Sequence, residues 1–215
     1  SVGMEPDYAP AWAALAGRYI NARGYLNDDT MFGKAEIAAK RAIELNPQLA
    51  AGHFWLAVYY GENGDLKNAL TVCKHLLQAA PNSEYAYQAM GHAYDYAGLP
   101  DIALTLFRKA AEINPVAFPY MIGFIQYQKG NYAEAKKELL ACPDACYEKD
   151  YWLAAIDLVE GNRDSAIQHL GAILEVGDAG VFFTTIRAMW HALKGECEEG
   201  LKVLTDVFNS TLQLG

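Results

Sequence analysis

Three prolines recur at a fixed interval and constrain the fold of this chain more than any other feature. Pro47, Pro81 and Pro115 lie 34 residues apart, and each ends a similar phrase, of which Ala-Ile-Glu-Leu-Asn-Pro over 42–47 is the clearest. A period of this length is typical of arrays in which one supersecondary unit recurs and each copy packs on its neighbours. The length of 215 residues gives room for about six such units.

Turn residues divide each unit into two helices. Glycine tolerates the left-handed conformation that ends a helix, and Asp, Asn or Pro can begin the next one. The glycines at these turns are Gly64, Gly98, Gly130, Gly161 and Gly195, followed closely by Asp65, Pro100, Asn131 or Asn162 in four cases. The segments between them have helical rather than strand-like apolar periodicity. We predict helices over 9–21, 30–45, 50–62, 66–79, 84–96, 100–113, 117–129, 132–141, 148–159, 163–175, 179–193 and 197–211.

The pattern resembles the tetratricopeptide repeat (TPR) family, whose helix–turn–helix repeats have this period. The family signature W-x₂-L-G-x₂-Y is matched by Trp12, Leu15, Ala16 and Tyr19, by His53, Leu56, Ala57 and Tyr60, and by Tyr87, Met90, Gly91 and Tyr94. Small residues of the second helices follow at Ala35, Ala69 and Ala103. The resemblance implies one all-α, right-handed α-solenoid over 1–215, with repeats over 9–49, 50–83, 84–115, 116–146, 147–180 and 181–214.

The last three repeats depart from the signature. Their central pairs are Ile122-Gly123, Leu153-Ala154 and Arg187-Ala188, and the tyrosine position holds Gln126, Asp157 and His191. The repeats also shorten here, and Pro143 is expected to end the second helix of the fourth repeat early.

The first repeat is seven residues longer than the period, and the extra residues fall within 22–33. We interpret them as an extended hairpin loop or a longer helix pair, with a partner-binding loop as the alternative. The opening phrase over 2–7 is similar to the end of a repeat, so we expect this chain to be a piece of a longer polypeptide. The phrases over 151–156 and 160–166 are similar to the C-terminal repeat regions of bacterial signalling proteins, where they follow a Ser/Thr kinase, nucleotide cyclase or winged-helix domain.

The resemblance implies a partner-binding surface. In the family, the first helix of each pair lines a concave groove that binds peptides or partner segments. The matching positions here are mostly aromatic, and aromatic side chains dominate interface hot spots. The predicted lining is Phe54, Trp55, Val58, Tyr85, Gln88, His92, Tyr96, Tyr120, Phe124, Tyr127 and Trp152. The alternative is that these aromatics are buried between neighbouring repeats.

The predicted groove lacks the residues that chaperone-binding members use to hold a C-terminal carboxylate. Those Lys, Asn and Arg positions correspond to Ala13, Gly17, Trp55, Tyr85 and Ala89. We therefore expect a protein or peptide partner with apolar anchors, which could be an effector domain of the same polypeptide. The net charge of −9 argues against nucleic acid and anionic membranes as partners.

No local motif favours catalysis, a cofactor or a metal. Cys142 and Cys146 are the only close cysteine pair, and no second pair lies at zinc-ligand spacing. The histidines are scattered, and a phosphate-binding glycine loop is absent from the sequence. We interpret Asp95, Asp101, Asp144, Asp150 and Asp157 as turn, cap and surface acids.

We therefore predict a non-enzymatic interaction module, the regulatory or scaffold part of a larger bacterial signalling protein. Four cysteines and the lack of a membrane-length apolar run favour the cytoplasm. Two alternatives remain open, namely a homotypic assembly module that forms a homo-oligomer and a small-ligand sensor.

Overall fold

The computed structural model describes residues 6–26, 29–115, 120–143, 146–177 and 181–212. Within these residues the chain is entirely helical apart from turns. The helices are α1 (Ala9–Leu26), α2 (Asp29–Leu45), α3 (Ala50–Glu62), α4 (Leu66–Ala79), α5 (Glu84–Tyr96), α6 (Pro100–Ile113), α7 (Tyr120–Gln128), α8 (Tyr132–Leu140), α9 (Tyr147–Glu160), α10 (Arg163–Val176), α11 (Val181–Lys194) and α12 (Cys197–Leu212). The predicted all-α helical repeat architecture is confirmed.

The helices group into two compact units, Ser1–Phe118 and Pro119–Gly215. The first unit contains α1 to α6, and the second contains α7 to α12. That the chain forms one continuous array over 1–215 stays a prediction.

In the first unit, α1 pairs with α2, α3 with α4, and α5 with α6. The first helices of these pairs also pack side by side, because α3 contacts both α1 and α5. Small residues make the close approaches possible: Ala16, Ala35 and Ala57 are fully buried where these helices meet. A Cβ atom at Gly91 would lie 2.9 Å from the ring of Phe107, so glycine allows α5 to approach α6.

The predicted turns are present. All five glycines have positive φ values, between 73° at Gly98 and 84° at Gly195, in the region that side chains avoid. Asp65 caps α4, because its Oδ1 accepts a hydrogen bond from the backbone N–H of Asn68 at 3.0 Å. Asn131 occupies the corresponding position before α8, but its side chain makes no cap hydrogen bond.

The seven-residue insertion lengthens the first helix pair. α1 continues to Leu26, five residues beyond the predicted end, and α2 begins at Asp29. A longer helix pair is therefore confirmed over an extended loop. The alternative that this segment binds a partner stays a prediction.

In the second unit, α7 pairs with α8, α9 with α10, and α11 with α12. Its core includes Leu139 and Ile156 around the earlier pairs, and Leu170 and Ile186 around the later ones. α8 ends at Leu140, as Pro143 predicts. The predicted start of α7 at 117 lies outside the described residues. No described helix combines the length and the apolar character that a membrane-spanning helix needs.

Candidate functional site

An aromatic cluster lies on the first helices of the first unit. The ring of Phe54 on α3 is buried at its centre, with the ring centres of Trp55, Tyr85 and His92 at 4.8, 5.7 and 6.0 Å. All three contacts are edge-to-face, the arrangement that aromatic pairs favour. We call Phe54, Trp55, Tyr85, His92 and Tyr96 the first aromatic cluster.

His92 is an aromatic packing residue within this cluster. Its ring stacks on Tyr96 at 6.3 Å and meets the edge of Phe107 at 5.2 Å. Burial lowers the pKa of His92 to about 4, because the apolar surroundings disfavour the charged imidazolium. The side chain is therefore neutral near pH 7, and it contributes ring surface rather than charge.

The predicted groove residues of the first unit differ in accessibility. Phe54, Val58 and Gln88 are buried, so their side chains support the surface from beneath. Trp55 and Tyr85 are partly exposed, and Tyr96 is 48% exposed. The Tyr96 hydroxyl donates a hydrogen bond to Glu62 at 3.0 Å, which fixes the ring at the edge of the cluster.

A second aromatic cluster is centred on Trp152 of α9. Its ring lies 4.5 Å from that of Phe124 and 5.4 Å from that of Tyr127, both on α7, and 5.0 Å from that of Tyr151. Tyr132, which begins α8, packs on Tyr127 at 5.8 Å. We call these five residues the second aromatic cluster, and all of them are partly exposed.

The remaining predicted groove residue, Tyr120, is also partly exposed and packs against the core near Leu139. Tyr132 was not predicted as a site residue, because it belongs to a second helix. The sequence could have indicated Tyr132, because it follows the Gly130-Asn131 turn directly, and a residue there lies beside the end of α7.

A buried carboxylate lies at the centre of a polar network in the second unit. Asp157 on α9 is only 4% exposed, and Lys136 of α8 donates to it at 2.8 Å and to Glu160 at 2.6 Å. The Ser165 hydroxyl of α10 also donates to Asp157. The interpretation of Asp157 as a surface acid is therefore wrong: the carboxylate joins three helices and is shielded from solvent.

The ionisation of Asp157 follows from these contacts. Burial raises the pKa of the carboxyl group, but hydrogen bonds from Lys136 and Ser165 outweigh that effect and hold the pKa below its usual value. His169 of α10 completes the network, with Nδ1 2.8 Å from Asp150 and Nε2 3.8 Å from Asp157. Asp150 is thus a partner of His169 rather than a solvated surface acid.

Ser165, His169 and Asp157 do not form a nucleophilic triad. In such a triad the imidazole accepts the hydroxyl proton, whereas here Ser165 donates to the carboxylate of Asp157. The serine hydroxyl is therefore held by a carboxylate rather than by an imidazole, and the contact ties the helices together.

Two cysteines, Cys73 and Cys142, are buried and hold protonated thiols. Burial raises the pKa of both Cys73 and Cys142 to about 12, so neither supplies the thiolate that metals and nucleophilic chemistry require. Among the described ranges, no group of three or more His, Cys, Asp or Glu side chains is placed to hold a metal ion. Asp144, one of the predicted surface acids, lies outside the described residues.

Comparison with known proteins identifies the family. Two family models, both described as tetratricopeptide repeat, match residues 29–84 and 84–116. A thermophilic TPR protein of Thermus thermophilus has a similar structure, with a TM-score of 0.64 and 22% identity over 83% of this chain and 98% of that one. Residues 29–116 of the chain are tetratricopeptide repeats.

Other solved structures share the fold of this chain. A tetratricopeptide repeat protein from Parabacteroides merdae has a TM-score of 0.56 and 18% identity over 91% of this chain and 80% of that one. PilF of Pseudomonas aeruginosa has a TM-score of 0.58 and 15% identity, over 94% and 90% respectively. No curated protein sequence matches the chain. At these identities the likeness shows the fold alone.

The family models match the chain only within its first unit. One difference between the two units lies at the signature tyrosine position. In the second TPR repeat, the Tyr60 hydroxyl donates to Glu36 of α2 at 3.3 Å. In two of the later repeats the same position bonds to the turn that follows it within its own pair. Gln126 accepts from Asn131 at 2.9 Å, and His191 lies 2.7 Å from Glu196. Polar side chains thus take over a packing position that the family fills with tyrosine.

Proposed function

We propose that this chain is a non-catalytic interaction module that binds a partner segment on its two aromatic clusters. TPR repeats serve in general as protein-interaction or scaffold modules, and the clusters supply the surface that such a role needs. The observation that carries the proposal is the second aromatic cluster, where Phe124, Tyr127 and Trp152 are partly exposed and held in mutual contact. Rigid aromatic side chains give large contact areas at a small cost in conformational entropy.

The chemistry of the surface favours a partner with apolar anchors. Ala13 and Ala89, two of the positions that would clamp a carboxylate, are buried. A Cβ atom at Gly17 would lie 2.5 Å from the Trp55 indole, so the tryptophan covers that position. Hydrophobic side chains in an extended or helical segment can pack between the rings, whereas a terminal carboxylate would meet Ala13, Gly17 and Ala89 in place of the clamping side chains.

The proposed context is the regulatory or scaffold part of a larger bacterial signalling protein in the cytoplasm. Support comes from the similarity of the phrases over 151–156 and 160–166 to repeat regions that follow effector domains. An effector domain of the same polypeptide is then a natural partner, since a covalent link raises its effective concentration. The net charge of −9 disfavours nucleic acid and anionic membranes as partners.

Selection from a displayed library of short random peptides tests this function. We expect the selected peptides to carry aromatic or aliphatic anchors and to change the tryptophan fluorescence of the protein on binding. Trp152→Ala should weaken their binding by about tenfold or more, as expected for a hot-spot residue. Leu140→Ala is the matched control, because Leu140 is 67% exposed but lies on the second helix α8.

Two results would contradict the proposal. One is a selection that yields no binding peptide. The other is a set of peptides that bind both Trp152→Ala and Trp55→Ala as tightly as the unchanged protein, while circular dichroism shows that both variants keep their helices.

A further inference from the structure

The last helix pair carries an apolar cleft on its surface. The cleft has a volume of about 420 Å³ and lies between α11 and α12. Its walls are almost wholly apolar, and two leucines of α12 are unusually accessible, Leu201 at 65% and Leu204 at 45% exposure. The lining of the cleft includes Ala188, Met189, Ala192, Gly200, Leu201 and Leu204.

The repeat register shows what such a cleft accommodates. In the second pair, α3 and α4, the equivalent positions hold Ala57, Val58, Gly61, Ala69, Leu70 and Cys73. There the following first helix, α5, packs against both helices of the pair. A Cβ atom at Gly61 would lie 3.2 Å from the Tyr96 ring and 3.3 Å from Cα of Ala93. The cleft between α11 and α12 therefore has the form of a seat for one more first helix.

The helix α1 has a face that matches this seat. The register equates Ala14 and Arg18 of α1 with Ala89 and Ala93 of α5. Both alanines of α5 are buried, at 0% and 1% exposure, whereas Ala14 and Arg18 are exposed. α1 thus presents to solvent the side that α5 buries against the pair before it.

The charges of the two surfaces are complementary. α1 exposes Arg18 and has no acidic residue in its sequence. α12 contains three acidic residues, Glu198, Glu199 and Asp206, against the single base Lys202. Opposite charges on two surfaces steer their association and disfavour wrong partners.

The register also places Arg18 opposite the acidic end of α12. Arg18 occupies the position of Tyr59 in α3, and the ring of Tyr59 lies 4.6 Å from that of Phe32 in α2. The counterpart of Phe32 in α12 is Cys197, directly before Glu198. A first helix seated in the cleft would bring Arg18 close to Glu198 and Glu199 in the first turn of α12, whose carboxylates attract the guanidinium.

We propose that copies of this chain associate head to tail, with α1 of one copy seated in the cleft between α11 and α12 of the next. The contact is heterologous, because it joins two different surfaces, and it continues the repeat packing from one copy into another. It uses neither aromatic cluster, so it is independent of the proposed partner binding.

Sedimentation over a range of concentrations tests the association. We expect the mean mass to rise above the monomer mass of 23.6 kDa as concentration increases. Leu201→Glu should raise the dissociation constant by about tenfold or more, since it places a charge in an apolar interface. Leu204→Glu is a second variant at the same cleft, and Leu140→Glu, an exposed leucine on α8, is the control.

A mixing experiment distinguishes head-to-tail contact from other modes of association. Arg18→Glu weakens the face of α1, and Leu201→Glu weakens the cleft, so each variant alone should stay mostly monomeric at a concentration where the unchanged protein associates. An equal mixture should form a dimer, because one variant retains the cleft and the other retains the helix face. A mass of 23.6 kDa at every concentration, a mixture that stays monomeric, or association unchanged by both cleft variants would overturn the proposal.

Discussion

For single residues, the position of a polar side chain in the repeat predicts its burial better than its chemistry does. The sequence places Asp157 at a signature position that the earlier repeats fill with tyrosine, and the structure shows that the position is buried there. The partners Lys136 and Ser165 lie on neighbouring helices, at sequence separations that no local motif covers. Their identity therefore depended on helix packing and could not be predicted from the sequence.

Asp157→Asn should lower the free energy of unfolding by about 2 kcal/mol near pH 7, because it weakens charge-assisted hydrogen bonds to a buried group. The folded-state pKa of Asp157 is lowered, so its stabilisation is present above the unfolded-state pKa and is lost as pH falls through the folded-state pKa. Urea denaturation from about pH 7 to about pH 3 should show a smaller acid-induced loss in the variant than in the unchanged protein.

Asp164→Asn is the control for this experiment. Asp164 is exposed in the first turn of α10, so its replacement should change stability by no more than a few tenths of a kcal/mol. Equal effects of the two substitutions would show that the buried network contributes nothing specific.

The depth to which residues near the aromatic clusters are buried also could not be predicted from the sequence. The register correctly assigns Phe54, Val58 and Gln88 to first helices, but not the depth to which neighbouring helices cover them. That depth depends on where α5 crosses α3, which in turn depends on the small residues Gly61 and Ala93 at the crossing.

For helices, prolines and turn glycines allow the first and last residues to be predicted from the sequence. α3 to α6 begin and end at the predicted residues, because Pro, Gly and Asp define the turns that separate them. α1 departs furthest from its predicted end. Asn21 and Gly24 are poor helix formers, yet the helix continues past both to Leu26. Pairing with α2, which has 17 residues, outweighs local propensity.

Two glycine substitutions test the account of helix pairing. Gly91→Ala should lower the free energy of unfolding by about 1–3 kcal/mol, because the added methyl group would lie 2.9 Å from the Phe107 ring. A Cβ atom at Gly33 in α2 would have no neighbouring atom within 4 Å. Gly33→Ala should therefore raise the free energy of unfolding by about 0.5–1 kcal/mol, because alanine has the higher helix propensity. Urea denaturation of both variants measures these changes, and a stabilising Gly91→Ala would contradict the close approach of α5 and α6.

At the scale of the whole molecule, the family and the all-α repeat fold follow from the sequence, while the identity of the partner does not. The family models reach residue 116, and the second unit retains the helix pairing without the full signature. A repeat register can be read from small residues and turns, since these are local requirements. A partner is selected by the shape of the surface, which depends on side chains from several helices at once.

We propose that the aromatic faces of the first helices bind the partner. Hydrogen exchange measured with and without a peptide selected from the displayed library locates the contact, because bound segments exchange more slowly. We expect the added protection to be greatest in α7 and α9 around Trp152, or in α3 and α5 around Trp55. Protection confined to the second helices, or to the cleft between α11 and α12, would show that the partner binds elsewhere.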